Sequence, residues 1–171
     1  QPSYPGNQEL EDKIENIIRW NAMAMVLQAY DTGEGLGGHI ATYASAATMT
    51  EVALNHFIKS RTDDYQGDMM NIQAHASPGV YSRAFLEGRL TKDEIGNFRR
   101  ELQDAGGLPS YPHPRRRPEL WPSPSASMGL NGVNSIYYAR FAKYLENRGL
   151  LKKSPGKIWA FLGDGEMDEP E

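Results

Sequence analysis

The 171-residue sequence contains no cysteine. Disulfide scaffolds, thiolate zinc centres, iron–sulfur clusters and cysteine nucleophiles are thereby excluded, and the composition suits a reducing compartment, with a cytoplasmic location as the expectation. No apolar run approaches the ~18–20 residues of a membrane span, and no charged-then-apolar leader opens the chain, so no membrane association is expected. Basic excess is lacking as well: 18 Lys and Arg face 22 Asp and Glu, for a net charge of −4. The broad basic footprint of a nucleic-acid-binding protein is therefore absent. There is no zinc-binding His-Glu-x-x-His, no Walker loop and no nucleophile elbow. Internal repeats and low-complexity tracts are missing too. The chain opens on Gln1 rather than Met and stops in a polar run at Pro170-Glu171, so both ends read as cut.

What is present alternates between helical and extended patterns. Residues 1–7 form an irregular lead-in, with Asn7 placed to cap a helix. Leu10, Ile14, Ile17, Ile18, Ala22, Met25 and Val26 recur at helical spacing, which predicts a helix over about 8–30. Gly33, Gly35, Gly37 and Gly38 interrupt the chain before His39. A second helix is expected over about 45–61, and a short buried strand over Met69–Gln73. His75-Ala-Ser-Pro-Gly79 reads as a turn, followed by a helix over about 80–87 that Gly88 closes. Thr91 and Glu94 make a capping-box pair, with a helix expected to about Gln103. Residues 104–127 are a Pro-, Gly- and Ser-rich loop, long enough to suggest function or disorder. A further helix is expected over about 134–147. Lys157–Leu162 reads as a strand of the fully buried type, ending at Gly163-Asp164-Gly165. Helices alternating with such strands predict an α/β fold: a doubly wound, mostly parallel sheet with helices on both faces, incomplete at both ends and occupying residues 1–171 as one partial domain.

The chemistry concentrates at a few places. In open parallel sheets, ligands bind beyond the carboxyl ends of the strands. Gly163 and Gly165 would let the backbone pass close to a phosphate. Asp164 between them would supply the oxygen ligand that a hard cation bridging a diphosphate requires. An acidic turn is the competing reading of three such residues; their position after Ile158–Leu162 favours the ligand role. His39 and His75 both lie in expected loops beside helix starts, where a histidine can donate to a phosphate or move a proton near neutral pH. Surface histidines are the competing reading. His56, within an expected helix beside Phe57, reads as structural, and His113 in the long loop stays open. Arg115-Arg116-Arg117 is the one strong basic cluster; between prolines it reads more readily as a solvated loop than as an anion site. Ser127-Met128-Gly129-Leu130-Asn131-Gly132 precedes a helix and suits close approach to a cofactor, or simply a loop whose dihedrals need glycine.

Taken together, Ile17-Ile18-Arg19-Trp20-Asn21, Gly37-Gly38-His39, Asn55-His56-Phe57, Gln73-Ala74-His75-Ala76-Ser77-Pro78-Gly79-Val80-Tyr81, Arg83 to Leu90, Ser110-Tyr111-Pro112-His113-Pro114 and Gly163 to Glu171 closely resemble the homodimeric type of pyruvate dehydrogenase. This is the thiamine-diphosphate-dependent, decarboxylating component of the pyruvate dehydrogenase complex. The resemblance covers nearly the whole chain, in order, and implies an internal segment of the first, diphosphate-binding domain of a much longer protein. Asp164 then looks like the magnesium ligand of the thiamine-diphosphate motif, with Gly163, Gly165 and Glu166 at the diphosphate. His39 and His75 match two histidines that line the cofactor and substrate site, and Gln73, Tyr111 and Met128 match other positions around it. The remaining magnesium ligands and the Glu that activates the aminopyrimidine would lie beyond Glu171. Thr42 stands where the resemblance leads one to expect Ser, and the hydroxyl is kept. The implied activity is oxidative decarboxylation of pyruvate with acetyl transfer to the lipoyl domain of the dihydrolipoyl acyltransferase component, by a homodimer. A transketolase-group enzyme or one acting on another 2-keto acid, and a non-catalytic assembly fragment, are the alternatives. Five of the 22 acids fall in the last eight residues, which hold no Lys or Arg, leaving 17 acids against 18 bases elsewhere. The acidic balance thus belongs to this one motif.

Overall fold

The computed structural model describes residues 3–36, 38–125, 128–151 and 155–168. The chain divides into two compact units: residues 1–52 with 75–112, and residues 53–74 with 113–171.

The first unit is helical. Helix α1 (Gln8–Asp31) starts where the sequence places it: the Asn7 side chain accepts from the Leu10 N–H at 3.0 Å, satisfying one of the free donors of the first turn. Glu9 and Glu11 in that turn also favour the positive end of the helix dipole. Its buried stripe is Ile18, Ala22, Met25, Val26 and Ala29. Helix α2 (Ala41–Val52) begins four residues before the expected Ser45, and Ile18 and Ala22 of α1 pack with Tyr43 and Ala47 of α2. Two alanines in this contact let the backbones approach closely. Helix α3 (Ser77–Leu86) starts three residues before the expected Val80, with Pro78 in its first turn, where the missing N–H costs nothing. Gly79 has no side-chain alternative: a Cβ there would collide with the Tyr43 ring. Glu51 and Arg83 form an ion pair in this layer, with Arg83 also reaching Glu87 at 2.9 Å. Burial pushes the Glu51 carboxyl above its ordinary value despite the pull of Arg83.

Helix α4 (Lys92–Gly96) carries the expected capping box, with Thr91 Oγ1 accepting from Glu94 N at 3.2 Å and the Glu94 carboxylate accepting from Thr91 N at 2.8 Å. It stops at Gly96 instead of running to Gln103. Phe98 leaves the helix to bridge with Leu108, and Arg99 takes a left-handed conformation, φ 63°, with its guanidinium on the Leu36 carbonyl at 2.6 Å. Tertiary contacts override the local helical preference there.

The Tyr43 hydroxyl is buried and has no hydrogen-bond partner among the described residues, and burial pushes its pKa up. An unpaired buried hydroxyl costs on the order of 1–3 kcal/mol. Tyr43→Phe is therefore expected to stabilise this unit by about 1 kcal/mol, read as slower amide exchange in α1 and α2; faster exchange would show the hydroxyl to be satisfied.

The second unit opens on a π-helical turn, Ala53–Phe57, so the helix expected to Arg61 ends earlier and more loosely wound. Strand β1 (Met69–Asn71) is shorter than the expected Met69–Gln73. After the long loop comes helix α5 (Leu130–Asn147), four residues longer at its start than expected because Gly129, at φ 81°, sets its boundary. Strand β2 (Ile158–Ala160) pairs parallel with β1 in the register Met69↔Ile158, Met70↔Trp159, Asn71↔Ala160. Helix α5 packs against β2. A short helical turn, α6 (Asp164–Met167), follows. Strand β2 is not of the fully buried type: Ile158 and Trp159 are half-buried and Ala160 is exposed, since β1 is its strand partner among the described residues. The architecture is thus mixed helix with a small parallel pair, an α/β arrangement in outline. No described helix is long and apolar enough to cross a membrane.

Candidate functional site

The expected site residues fall into two groups, one in each unit. In the first unit, His39 lies just before α2 and His75 lies in the 3-10 turn Ala74–Ala76 that leads into α3. Their rings meet edge to face, with centroids 4.4 Å apart at 80°. The 36 positions that separate them in sequence gave no sign of this contact beyond the shared pattern of a small-residue approach. His39 is exposed and His75 half-buried, so the pair lies at an accessible edge. Such a pair can hold an anion, orient a carboxylate or pass a proton near neutral pH. Tyr111 is exposed in the closing loop of this unit.

In the second unit the parallel pair directs the chain as the sequence reading required. Beyond the carboxyl end of β2, Gly163 is extended and leads into α6. The Asp164 side chain is exposed, and its Oδ1 accepts from the Gly165 N–H at 2.9 Å. The Glu166 carboxylate folds back so that Oε2 accepts from the Gly163 N–H at 3.1 Å. Its Oε1 is buried and has no hydrogen-bond partner among the described residues. Gln73, two residues past the end of β1, brings its Nε2 to 3.0 Å from where a Gly163 Cβ would stand. Glycine at 163 thus leaves room for the close approach of an amide donor, and one carboxamide and two carboxylates stand along this turn. This donor set fits a hard cation with a diphosphate: carboxylate oxygen for the cation and the Gln73 amide N–H for the anion. Among the described residues no group of three or more His, Asp or Glu closes round a metal. Asp164 would accordingly contribute one ligand of a larger set.

Met128 is exposed and left-handed, φ 63°, a conformation rare outside glycine, asparagine and aspartate. It stands at the entry to α5. Of the run from Ser127 to Gly132, Ser127 lies outside the described residues. Gly132 packs near Leu162, placing the first turn of α5 beside the segment that leads into Gly163. Arg115 and Arg116 are exposed and Arg117 pairs with Glu119 at 3.3 Å, which agrees with a solvated loop. His56 is half-buried in the π-helical turn.

Sequence reasoning did not single out a buried polar cluster at the same end of the second unit. Asn71, the last residue of β1, donates from Nδ2 to the Asn131 carbonyl at 3.2 Å and to Ser135 Oγ at 2.8 Å, and Ser135 Oγ donates to the same carbonyl at 2.7 Å. Ser125 Oγ donates to the Ile72 carbonyl at 2.6 Å. The partners lie about 60 positions apart, beyond any local pattern; buried Asn and Ser beside a strand end were the available signal.

No family model matches the chain. Among curated proteins, it is 55% identical to the pyruvate dehydrogenase E1 component of Haemophilus influenzae over 171 residues, which is 100% of this chain and 19% of that protein. It is 54% identical to the corresponding proteins of Escherichia coli K12, over 171 residues, and of Mycolicibacterium smegmatis, over 172 residues, again with the whole chain covered and 19% and 18% of those proteins spanned. Along its whole length, therefore, this chain is similar to one segment, about a fifth, of pyruvate dehydrogenase E1 components, and the resemblance carried by its motifs is borne out.

Proposed function

We propose that this chain is a segment of the decarboxylating component of a pyruvate dehydrogenase complex and contributes part of its thiamine-diphosphate and Mg²⁺ site. The observation that carries the reading is the identity of 54–55% over the whole chain to E1 components. The Gly163-Asp164-Gly165 turn at the carboxyl end of a parallel strand supports it, because that is where open α/β sheets bind ligands. The reading extends to a doubly wound sheet completed by the rest of the full-length protein, to a homodimer, and to a cytoplasmic enzyme handing acetyl groups to lipoyl domains of an acyltransferase component.

The residues divide the work by charge. The Asp164 carboxylate holds the cation that neutralises a diphosphate, and Gly163 and Gly165 leave room for that diphosphate against the backbone. Gln73 donates an amide N–H at the same place, and the Glu166 carboxylate fixes the turn through Gly163 N–H. Met128 lines the approach from the start of α5, and Tyr111, in the first unit, contributes an exposed phenol. His39 and His75 orient the carboxylate of the 2-keto acid and hold or release a proton at their ring nitrogens. Once bound, thiamine diphosphate supplies the carbon nucleophile and the electron sink that decarboxylation requires.

The test is turnover of the full-length protein with Mg²⁺ and thiamine diphosphate on pyruvate, other 2-keto acids and sugar phosphates. Pyruvate should be fastest; an equal or better rate on another substrate would move the protein to a sister class. In the same assay His39→Ala and His75→Ala should each lower turnover by about tenfold with an unchanged unfolding midpoint. Wild-type rates for both would place the histidines outside the site.

A further inference from the structure

The Asn131 carboxamide has an unusual position. It lies in the first turn of the 18-residue helix α5, is 0% exposed, and neither its Nδ2 nor its Oδ1 has a hydrogen-bond partner among the described residues. A buried polar group left unpaired pays its full desolvation penalty, and native chains tolerate few of these without a reason. The other buried polar residues of this cluster are not in this state: Asn71, Ser125 and Ser135 all donate to described partners. An apolar residue at 131 would leave that cluster intact, because Asn71 and Ser135 use the backbone carbonyl of residue 131 and not its side chain.

Two further observations relate this amide to the proposed site. Gly132 lies near Leu162, so the first turn of α5 adjoins the segment entering Gly163 and Asp164. One residue before that turn is strained: Met128 is left-handed at φ 63°, while Gly129 takes φ 81° as glycine freely does. Strain of this kind, at a non-glycine residue, clusters at ligand-binding segments. The free N–H groups of a helix start also attract anions.

Building on the proposed function, we infer that the Asn131 side chain is a further binding residue of this site, donating from Nδ2 to an anionic oxygen of the bound ligand as the 128–131 turn adjusts. Two groups in the proposed reaction carry such oxygens: the diphosphate of the cofactor and the carboxylate of the 2-keto acid. The chemistry is shared, and the measurement separates the sources.

The experiment uses the full-length enzyme with Asn131→Ala and Asn131→Asp. Three quantities are read: the ligand-free melting temperature, the Kd for thiamine diphosphate in Mg²⁺ by calorimetry, and the KM for pyruvate at saturating cofactor. Asn131→Ala should leave the ligand-free melting temperature unchanged or higher, since it removes an unpaired amide. It should weaken cofactor binding about tenfold if the diphosphate is the acceptor. If the carboxylate is, the KM should rise about tenfold at an unchanged cofactor Kd. Asn131→Asp, which places a negative charge where the donor was, should lose more in the same quantity. A melting temperature lowered by several degrees in both variants, with Kd and KM unchanged, would show the amide to be structural and overturn the inference. An unsubstituted enzyme that binds no thiamine diphosphate would instead remove the functional reading and this inference with it.

Discussion

Asp164→Ala in the full-length protein is expected to weaken Mg²⁺-dependent retention of thiamine diphosphate by about a hundredfold, equivalent to about 2.7 kcal/mol, while leaving the unfolding midpoint where it was. The argument has two halves. Structurally, little rests on this side chain: it is exposed, and its described bond is local, from the next residue's N–H at 2.9 Å. Truncation therefore removes no packing. Chemically, a hard cation bridging a diphosphate takes oxygen ligands, and an anionic one contributes charge as well as coordination. Asp164→Asn separates these terms, because it keeps an oxygen and drops the charge; its affinity should fall between those of Ala and wild type. Calorimetric titration with and without Mg²⁺ measures all three. Equal retention by Asp164→Ala would remove Asp164 from the proposed metal site, and a lowered midpoint would mean that the turn, not the ligand, had been lost.

How much of this was legible in advance depended on distance along the chain. Asn7 before Leu10, and Thr91 with Glu94, are contacts over three residues, and both caps occur as the sequence indicates. The start of β1 at Met69 and the glycine turn after β2 were likewise readable, because apolar runs bounded by glycine carry that information locally. Where a helix end was set from elsewhere, the reading failed. Nothing near Gly96 says that Phe98 will bridge to Leu108 or that Arg99 will reach the Leu36 carbonyl, yet these contacts end α4 seven residues early. The first turn of α5 was missed for a related reason: Gly132 counts against a helix on propensity, but in the fold it packs near Leu162. The site divides the same way. Gly163, Asp164 and Gly165 announce themselves by residue type, and the His39–His75 pair was suspected from composition but joined only by the fold. The unpaired Asn131 amide was invisible, because burial and hydrogen-bond satisfaction are properties of the folded chain.

Asp68→Ala should produce the largest stability loss in the second unit, about 3 kcal/mol, seen as reduced protection from hydrogen exchange in β1 and β2. This carboxylate gathers four donors at the amino-terminal end of the parallel pair. Oδ1 accepts from the Tyr65 hydroxyl and from Lys157 N at 2.8 Å; Oδ2 accepts from Lys59 N at 3.1 Å and from Trp159 Nε1 at 2.9 Å. It thereby joins the loop before β1 to the start of β2, next to the first register pair, Met69↔Ile158. Gly156 sits so close to the Gly67 carbonyl that no Cβ fits, so the two segments have no other way to fill this contact. Burial alone would raise the Asp68 pKa, but the hydrogen bonds from Tyr65, Lys59 N, Trp159 and Lys157 N outweigh it and hold the group down to about 2 from 3.8. A depressed carboxyl pKa stabilises the fold wherever the unfolded chain would already be ionised. The contribution, about 1 kcal/mol once screening by solvent is allowed for, is therefore present above about pH 4 and is lost as pH falls toward 2. Protection of the Met69–Asn71 and Ile158–Ala160 amides should accordingly drop between pH 4 and pH 2 in the wild type and stay flat over that range in Asp68→Ala. Asp68→Asn should lose less, since one oxygen remains to accept while its amide meets the donors that the second oxygen had served. Unchanged protection in Asp68→Ala would mean that Phe57 against Trp159, at 6.4 Å between ring centroids, and the backbone pairing hold the strands without the carboxylate.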